Sequence, residues 1–243
     1  GLNNIDAIIM ATLNACEIYG MKNKGAIAPS YVADIVVADD LNLSSISQVY
    51  KNGKLVCENG KALFECETVD NSKVTNTVHL PKISADFFKT DVKDKFDAIE
   101  LIPESIITKK VTVSYSDSLS KVCVIERHHN LGTKGIGFVT NYGITNGAIA
   151  TSIGHDSHNV IVIGDNDSDM ALAVNTLGTS GGIAVCSEGK VIASMTLDIA
   201  GLMSLKSADE VTREHDNLYS AAKVLNITDK IDPYYRFGTF RCY

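Results

Sequence analysis

Three glycine turns set the strongest limit on what this chain can fold into. Asn52-Gly53 separates Gln48-Val49-Tyr50-Lys51 from Lys54-Leu55-Val56-Cys57, Asn59-Gly60 follows directly, and Glu188-Gly189 separates two apolar runs at 182–186 and 191–196. Such pairs tolerate positive φ at both central positions of a two-residue turn, so each predicts two antiparallel strands joined without a crossover. Ala33-Asp34-Ile35-Val36-Val37-Ala38 adds a compact strand near the first two turns. Runs at 111–115, 122–126, 135–140 and 160–164 add further strand candidates around the third.

Helical signals are fewer. Asn3 or Asn4 is placed to cap a turn leading into Ile5, Ile8, Ile9 and Leu13, which share one face at helical spacing. Asn14 with Glu17 has the form of a second capping pair, and Gly20 ends that helix. Met170, Ala171, Ala173, Val174 and Leu177 predict a helix from 167 to 177, stopped by Gly178. Ser207-Ala208-Asp209-Glu210 opens another, to about 225, with a capping box. Residues 64–96 carry few apolar anchors and predict a connection running over a surface, pinned at Asp86-Phe87-Phe88. The expected organisation is therefore a helical piece at 1–24, a small β segment at 25–63, that connection, and an α+β domain at 97–243.

Charge and cysteine content exclude several classes. With 22 basic and 29 acidic side chains the formal charge is −7, the wrong sign for a sequence-independent grip on nucleic acid. No run approaches the roughly 18 apolar residues of a membrane span. Cys16, Cys57, Cys66, Cys123, Cys186 and Cys242 are scattered, with no Cys-x-x-Cys pair, which predicts thiols in a reducing cytoplasm rather than a disulfide scaffold or a zinc ribbon. The chain starts at Gly1 and carries no basic leader, so its start reads as a cut end.

Two polar clusters are the candidates for chemistry. His155-Asp156-Ser157-His158-Asn159 interrupts an apolar β region. Its imidazoles and carboxylate can converge on a divalent metal or a polar ligand if the loop is turn-like, with His155 and His158 the candidate metal ligands; equally, the cluster can be an internal network that satisfies itself. Glu126-Arg127-His128-His129-Asn130 sits at a strand end, where it is either the rim of a sheet or, if the two strand ends meet, part of one site with the first cluster. Asp165-Asn166-Asp167-Ser168-Asp169 opens like a calcium loop, but Met170 stands where the turn glycine belongs, so it predicts an acidic helix N-terminus instead. The glycine runs at 132–137 and 178–182 lead into strands, not helices, and predict turns rather than a phosphate cradle.

Several motifs together resemble a known family. Ala11-Thr12-Leu13-Asn14-Ala15 through Gly25-Ala26-Ile27-Ala28-Pro29 to Ala33-Asp34-Ile35-Val36-Val37 resembles the closing segment of the amidohydrolase superfamily, where the last barrel helix returns to a small β-sandwich. Ile125-Glu126-Arg127-His128-His129, Asn146-Gly147-Ala148-Ile149-Ala150-Thr151-Ser152, the His155–Asn159 loop, Asp169-Met170-Ala171-Leu172-Ala173-Val174-Asn175, Gly181-Gly182-Ile183 and Ile199-Ala200-Gly201-Leu202-Met203-Ser204 are similar to the C-terminal part of the bacterial adenine deaminases. The resemblance spans residues 5–232.

The resemblance implies an α+β chain made of terminal barrel helices, a small β-sandwich segment and a C-terminal α+β domain with a largely antiparallel sheet. It also implies hydrolytic deamination of adenine to hypoxanthine in the cytoplasm, with divalent manganese, iron or zinc ions in the complete enzyme. The family's metal ligands begin with a His-x-His, which this chain lacks, and a barrel alone needs about 250 residues. The expectation is a C-terminal portion that holds no metal tightly, is silent without its barrel, and forms a homo-oligomer without nucleic acid or membrane partners. His155, Asp156, His158, Arg127 and His128 would then face the barrel site. The alternatives are a non-catalytic assembly module, or an independent metal enzyme built on His155, Asp156 and His158.

Overall fold

The computed structural model describes all residues except 68, 92–93, 106, 117–118, 155–156, 228–230 and 235–243. The chain divides into two compact units, Gly1–Val69 and Asp70–Tyr243.

The first unit begins with one helical run: α1 (Asn4–Ile9), a π-helical stretch (Met10–Asn14) and α2 (Ala15–Ile18). Asn3 caps it, its side-chain oxygen accepting from the Asp6 amide at 3.0 Å. Asn14 does not cap a second helix as expected. Its backbone is helical (φ −63°, ψ −40°) and its side chain makes no capping bond, because the turn ahead of it already supplies the carbonyl acceptors that a cap replaces. Gly20, at φ 64°, closes the run.

A four-stranded antiparallel sheet follows, β1 (Ile35–Ala38), β2 (Ile46–Lys51), β3 (Lys54–Glu58) and β4 (Lys61–Ala62), in that order. Both expected turns form, with φ of 50° and 76° at Asn52-Gly53 and 48° and 76° at Asn59-Gly60. Asp34 fastens the first turn: its carboxylate accepts from the Asn52 amide at 2.9 Å, Lys51 Nζ at 2.5 Å and Lys24 Nζ at 3.2 Å. The Lys51 bond above all, with the Asn52 amide, holds this carboxyl well below the usual carboxylate range. No described residue of this unit is buried.

The second unit is a single eight-stranded sheet with cover on both faces. Its strands are β5 (Lys95–Leu101), β6 (Thr108–Ser114), β7 (Ser120–Ile125), β8 (Lys134–Thr140), β9 (Gly147–Thr151), β10 (Val160–Gly164), β11 (Gly182–Ser187) and β12 (Lys190–Thr196). They lie in the order β12-β11-β9-β10-β7-β8-β5-β6. Every pairing is antiparallel except β5 with β8, so the expected α+β class with a largely antiparallel sheet is what forms. Two helices complete it, α3 (Asp167–Thr176) and α4 (Ala208–Val224).

Alternation along the strands sorts the apolar residues into two cores. Val122, Ile149, Ile161, Ile163, Ile183 and Val185 face the layer that includes Leu218, Ala221 and Ala222 of α4. Cys123, Ile125, Ala148, Ala150, Val160, Val162 and Ala184 face the layer of Met170, Ala173 and Val174 from α3. Small residues under α3 let it come close: a Cβ on Gly164 would stand 2.7 Å from Met170 Cγ. Segment 70–91, expected to run over a surface, instead contributes Val78, Ile83 and Phe88 to that second core, Phe88 closing a 3-10 turn (Ala85–Phe88). The Ser207–Glu210 capping box is present on both sides, and Asn166 caps α3 at the Asp169 amide, so the calcium-like run is a helix start. Among the described residues no disulfide forms between cysteines, and no described helix is long and apolar enough to cross a membrane.

Candidate functional site

Antiparallel pairing brings the two polar clusters to one end of the sheet. Val160 of β10 is paired with Ile125 of β7, and Ile161 with Thr151 of β9. The residues after Ile125 and the connection 152–159 are therefore neighbours by register. The turn at 199–203 joins them, since β12 ends at Thr196 opposite Gly182 and the Ser152 amide donates to the Gly182 carbonyl at 2.9 Å.

Each cluster is shaped by its own hydrogen bonds. The Glu126 carboxylate accepts three backbone amides, from His128 at 2.5 Å, His129 at 2.8 Å and Leu131 at 3.1 Å. Partial burial works to raise this carboxyl, but the Leu131, His129 and His128 amides outweigh it and hold it below its ordinary value. Glu126 thus folds the loop that presents His128 and His129. His128 Nε2 lies 2.9 Å from the Ser157 carbonyl; a carbonyl only accepts, so this nitrogen carries the proton. His128 thereby reaches from one loop to the other.

His158 sits in the left-handed region at φ 49°. Its amide donates to the Gly154 carbonyl at 2.7 Å, and a Cβ on Gly154 would come within 2.8 Å of the Asn159 carbonyl. His158 Nδ1 and Asn159 Oδ1 are buried without a hydrogen-bond partner among the described residues. His155 and Asp156 lie outside the described residues.

Arg127 is 2 % exposed. Its Nε donates to the His158 carbonyl, and its Nη2 to the Ala200 carbonyl at 2.9 Å. Burial lowers its pKa from the ordinary arginine value. Of the five candidates, the structure thus brings Arg127, His128 and His158 together.

Three participants had no signal in sequence spacing. Ser152 is fully buried; its hydroxyl donates to the Gly201 carbonyl at 2.6 Å and accepts the Gly182 amide at 2.7 Å. The turn at 199–203 supplies an acceptor to Arg127. His79 donates its amide to the Arg127 carbonyl at 2.7 Å. The signal the sequence offers there is the small residues Gly181-Gly182 and Ala200-Gly201, read above only as turn positions and as part of the resemblance, which leave room for backbones to approach closely.

The described residues do not fit a divalent metal ion. No three His, Cys, Asp or Glu side chains among them converge. His128 Nε2 is engaged with the Ser157 carbonyl, and the Arg127 cation lies against the His158 carbonyl. What the arrangement does support is a pair of hydrogen-bonded loops that presents His128 and His158 at a strand end.

Comparison with known proteins follows the division of the chain. Residues 100–242 match the family of the adenine deaminase C-terminal domain, and residues 1–57 match the amidohydrolase family. The chain is similar to the adenine deaminase of Nitratidesulfovibrio vulgaris (strain DP4), 36% identical over 247 residues, which covers 96% of this chain and 43% of that protein. It is similar to the adenine deaminase of Clostridium acetobutylicum, 39% identical over 249 residues, covering 96% and 44%. Adenine deaminase 2 of Carboxydothermus hydrogenoformans is 39% identical over 238 residues, covering 93% and 42%. The chain spans less than half the length of the curated relatives it matches.

Proposed function

The chain belongs to the adenine deaminase C-terminal domain family, and from that premise we propose that it serves as the C-terminal part of an enzyme converting adenine and water to hypoxanthine and ammonia. In that reaction an oxygen–C6 bond forms on the purine, the bond from C6 to the exocyclic nitrogen breaks, and ammonia leaves with the transferred proton. The observation that carries the reading is the 36–39% identity to adenine deaminases along 93–96% of this chain.

Divalent-metal chemistry, with manganese, iron or zinc, belongs under this reading to residues outside this chain, as does the pocket for adenine. The part assigned here is closure and orientation. His128, His158, His155 and Asp156 are assigned to face the remainder of the enzyme and orient the groups that pass protons, and Arg127 holds the loop at His158. The chain alone is silent. Ammonia release from adenine is the test: the complete polypeptide turns over, and purified residues 1–243 do not. Turnover by this chain, with full-length enzyme excluded, would overturn the proposal.

A second reading rests on a different observation. Ile5, Ile9, Met10 and Ile18 are 57%, 40%, 53% and 81% exposed, an apolar surface that isolated proteins seldom leave uncovered. We propose that the upstream portion carried by the relatives covers it, and that homo-oligomer formation follows in the complete protein. His155→Ala and His158→Ala test the role of the loop: they cut turnover if it serves the reaction, and shift only stability if the loop is structural.

A further inference from the structure

Two turns in the second unit adopt a backbone conformation their residues disfavour, and both lean on the same side chain. His158 (φ 49°) and Ala200 (φ 55°) lie in the left-handed region, which costs a residue with a Cβ roughly 1–2 kcal/mol. Such strain persists only where surrounding contacts over-determine it. The carbonyls of these two residues are the acceptors of Arg127 Nε and Nη2.

The chain makes room for this guanidinium. A Cβ on Gly201 would stand 2.6 Å from Arg127 Nη1, and one on Gly181 would stand 2.9 Å from Gly201 Cα and 2.7 Å from Ser152 Oγ. A buried cation is normally balanced by a carboxylate. Among the described residues no carboxylate is paired with Arg127, and two of its donors, Nε and Nη2, go to the peptide carbonyls of His158 and Ala200. The Arg127 carbonyl in turn takes the His79 amide. One residue therefore joins three segments from distant parts of the sequence: its side chain holds the His158 carbonyl and the Ala200 carbonyl of the turn 199–203, and its backbone carbonyl holds the segment at His79.

We infer that Arg127 is a positioning residue that fixes the loop carrying His158 against the turn at 199–203, and so sets where the His128–His158 pair points. Its role in turnover rests on the proposed deaminase reading; the clamp itself rests on geometry. The charge is used for its forked reach, which a lysine with a single donor point does not reproduce.

The test uses the complete polypeptide with Arg127→Met and Arg127→Lys, read by amide hydrogen exchange and by steady-state kinetics on adenine. Exchange at 157–159 and at 199–203 is expected to accelerate together by about tenfold or more, the equivalent of one lost charge-assisted hydrogen bond, with α3 unchanged. Turnover (kcat) is expected to fall by about 100-fold with KM within about twofold, a split that general loss of folded enzyme does not give. Arg127→Lys should fall between wild type and Arg127→Met in both readouts.

Should Arg127→Met fail to fold, Gly201→Ala displaces the guanidinium without removing it and is expected to loosen the same two loops. Exchange that changes in only one loop, in neither, or equally across the whole unit overturns the clamp. Paired loosening with unchanged kcat upholds the clamp and instead defeats the assignment of this loop to deamination.

Discussion

The first unit, Gly1–Val69, and the second, Asp70–Tyr243, use the same kinds of element and differ in whether those elements have something to bury against. The first has two well-formed hairpin turns, a capped helix and a fastened carboxylate at Asp34, yet none of its described residues is buried. The second sets a core against each face of one sheet, with Ile163, Met170 and Leu218 fully buried. Among the described residues, full burial of apolar side chains, which carries most of the main favourable term in folding, is found only in the second.

The most drastic way to break this comparison is to separate the units. Residues 70–243 expressed alone are expected to unfold in one cooperative transition, and residues 1–69 alone to show none, by circular dichroism in a urea series. A sigmoidal transition for 1–69 would mean that its exposed apolar face is not needed for its fold.

Substitutions matched across the units sharpen the contrast. Gly182→Ala would place a Cβ 1.9 Å from the Met195 carbonyl oxygen at φ 126°, with an expected loss of about 3 kcal/mol or more, because backbone cannot step aside. Gly20→Ala, at φ 64° with nothing within 4 Å, should cost only the conformational term of about 1 kcal/mol. Ile163→Ala is expected to cost about 2–5 kcal/mol as a buried-core deletion, against about 0.5 kcal/mol or less for exposed Ile9→Ala. Equal losses within either pair, read from urea midpoints, would contradict the division.

Smaller still is Ser207→Ala, which removes the α4 capping box at a cost of about 1 kcal/mol; a thermal melt unchanged by it would show the box to be redundant. The mildest effect is that of pH on the first unit. Asp34 has a folded pKa below its unfolded value, so its contribution is fully present above the unfolded pKa and is lost as pH falls through the folded one. Amide exchange at Asn52 and Gly53 should therefore quicken only below the ordinary carboxylate range, and Asp34→Asn should remove that dependence. Persistence of the dependence in Asp34→Asn would assign it to another group.

What could be read from the chain without coordinates follows the range of the interaction involved. The turns at Asn52-Gly53, Asn59-Gly60 and Glu188-Gly189, the box at Ser207–Glu210 and the end of α3 at Gly178 are decided within a few residues, and all are found. The central strand β9 was not among the strand candidates. Gly147-Ala148-Ile149-Ala150-Thr151 has little intrinsic strand preference, and it is a strand because its alanines fit beneath α3. Segment 70–91 likewise shows few apolar anchors, yet Val78, Ile83 and Phe88 suffice when a core is waiting for them.

The candidate site divides in the same way. His158 stands out in the sequence as part of a polar loop that interrupts an apolar β region, where such residues are costly unless paired, and Arg127 and His128 as part of a polar run at a strand end. Their meeting depends on pairing β7 with β10 across 35 residues of sequence, counted from Ile125 to Val160. The contributions of Ser152 and Ala200 depend on two further approaches. By itself, then, the sequence determined the turns, the caps at Asn3 and Ser207 though not the one expected at Asn14, the antiparallel character of the strands and the residues with chemistry to offer, since each of these is settled by neighbours along the backbone. Only the tertiary structure decided that Arg127 lies beneath two strained turns and that the second unit owns both cores. Strand register and side-chain packing join residues far apart in sequence, and no local preference encodes which of them will meet.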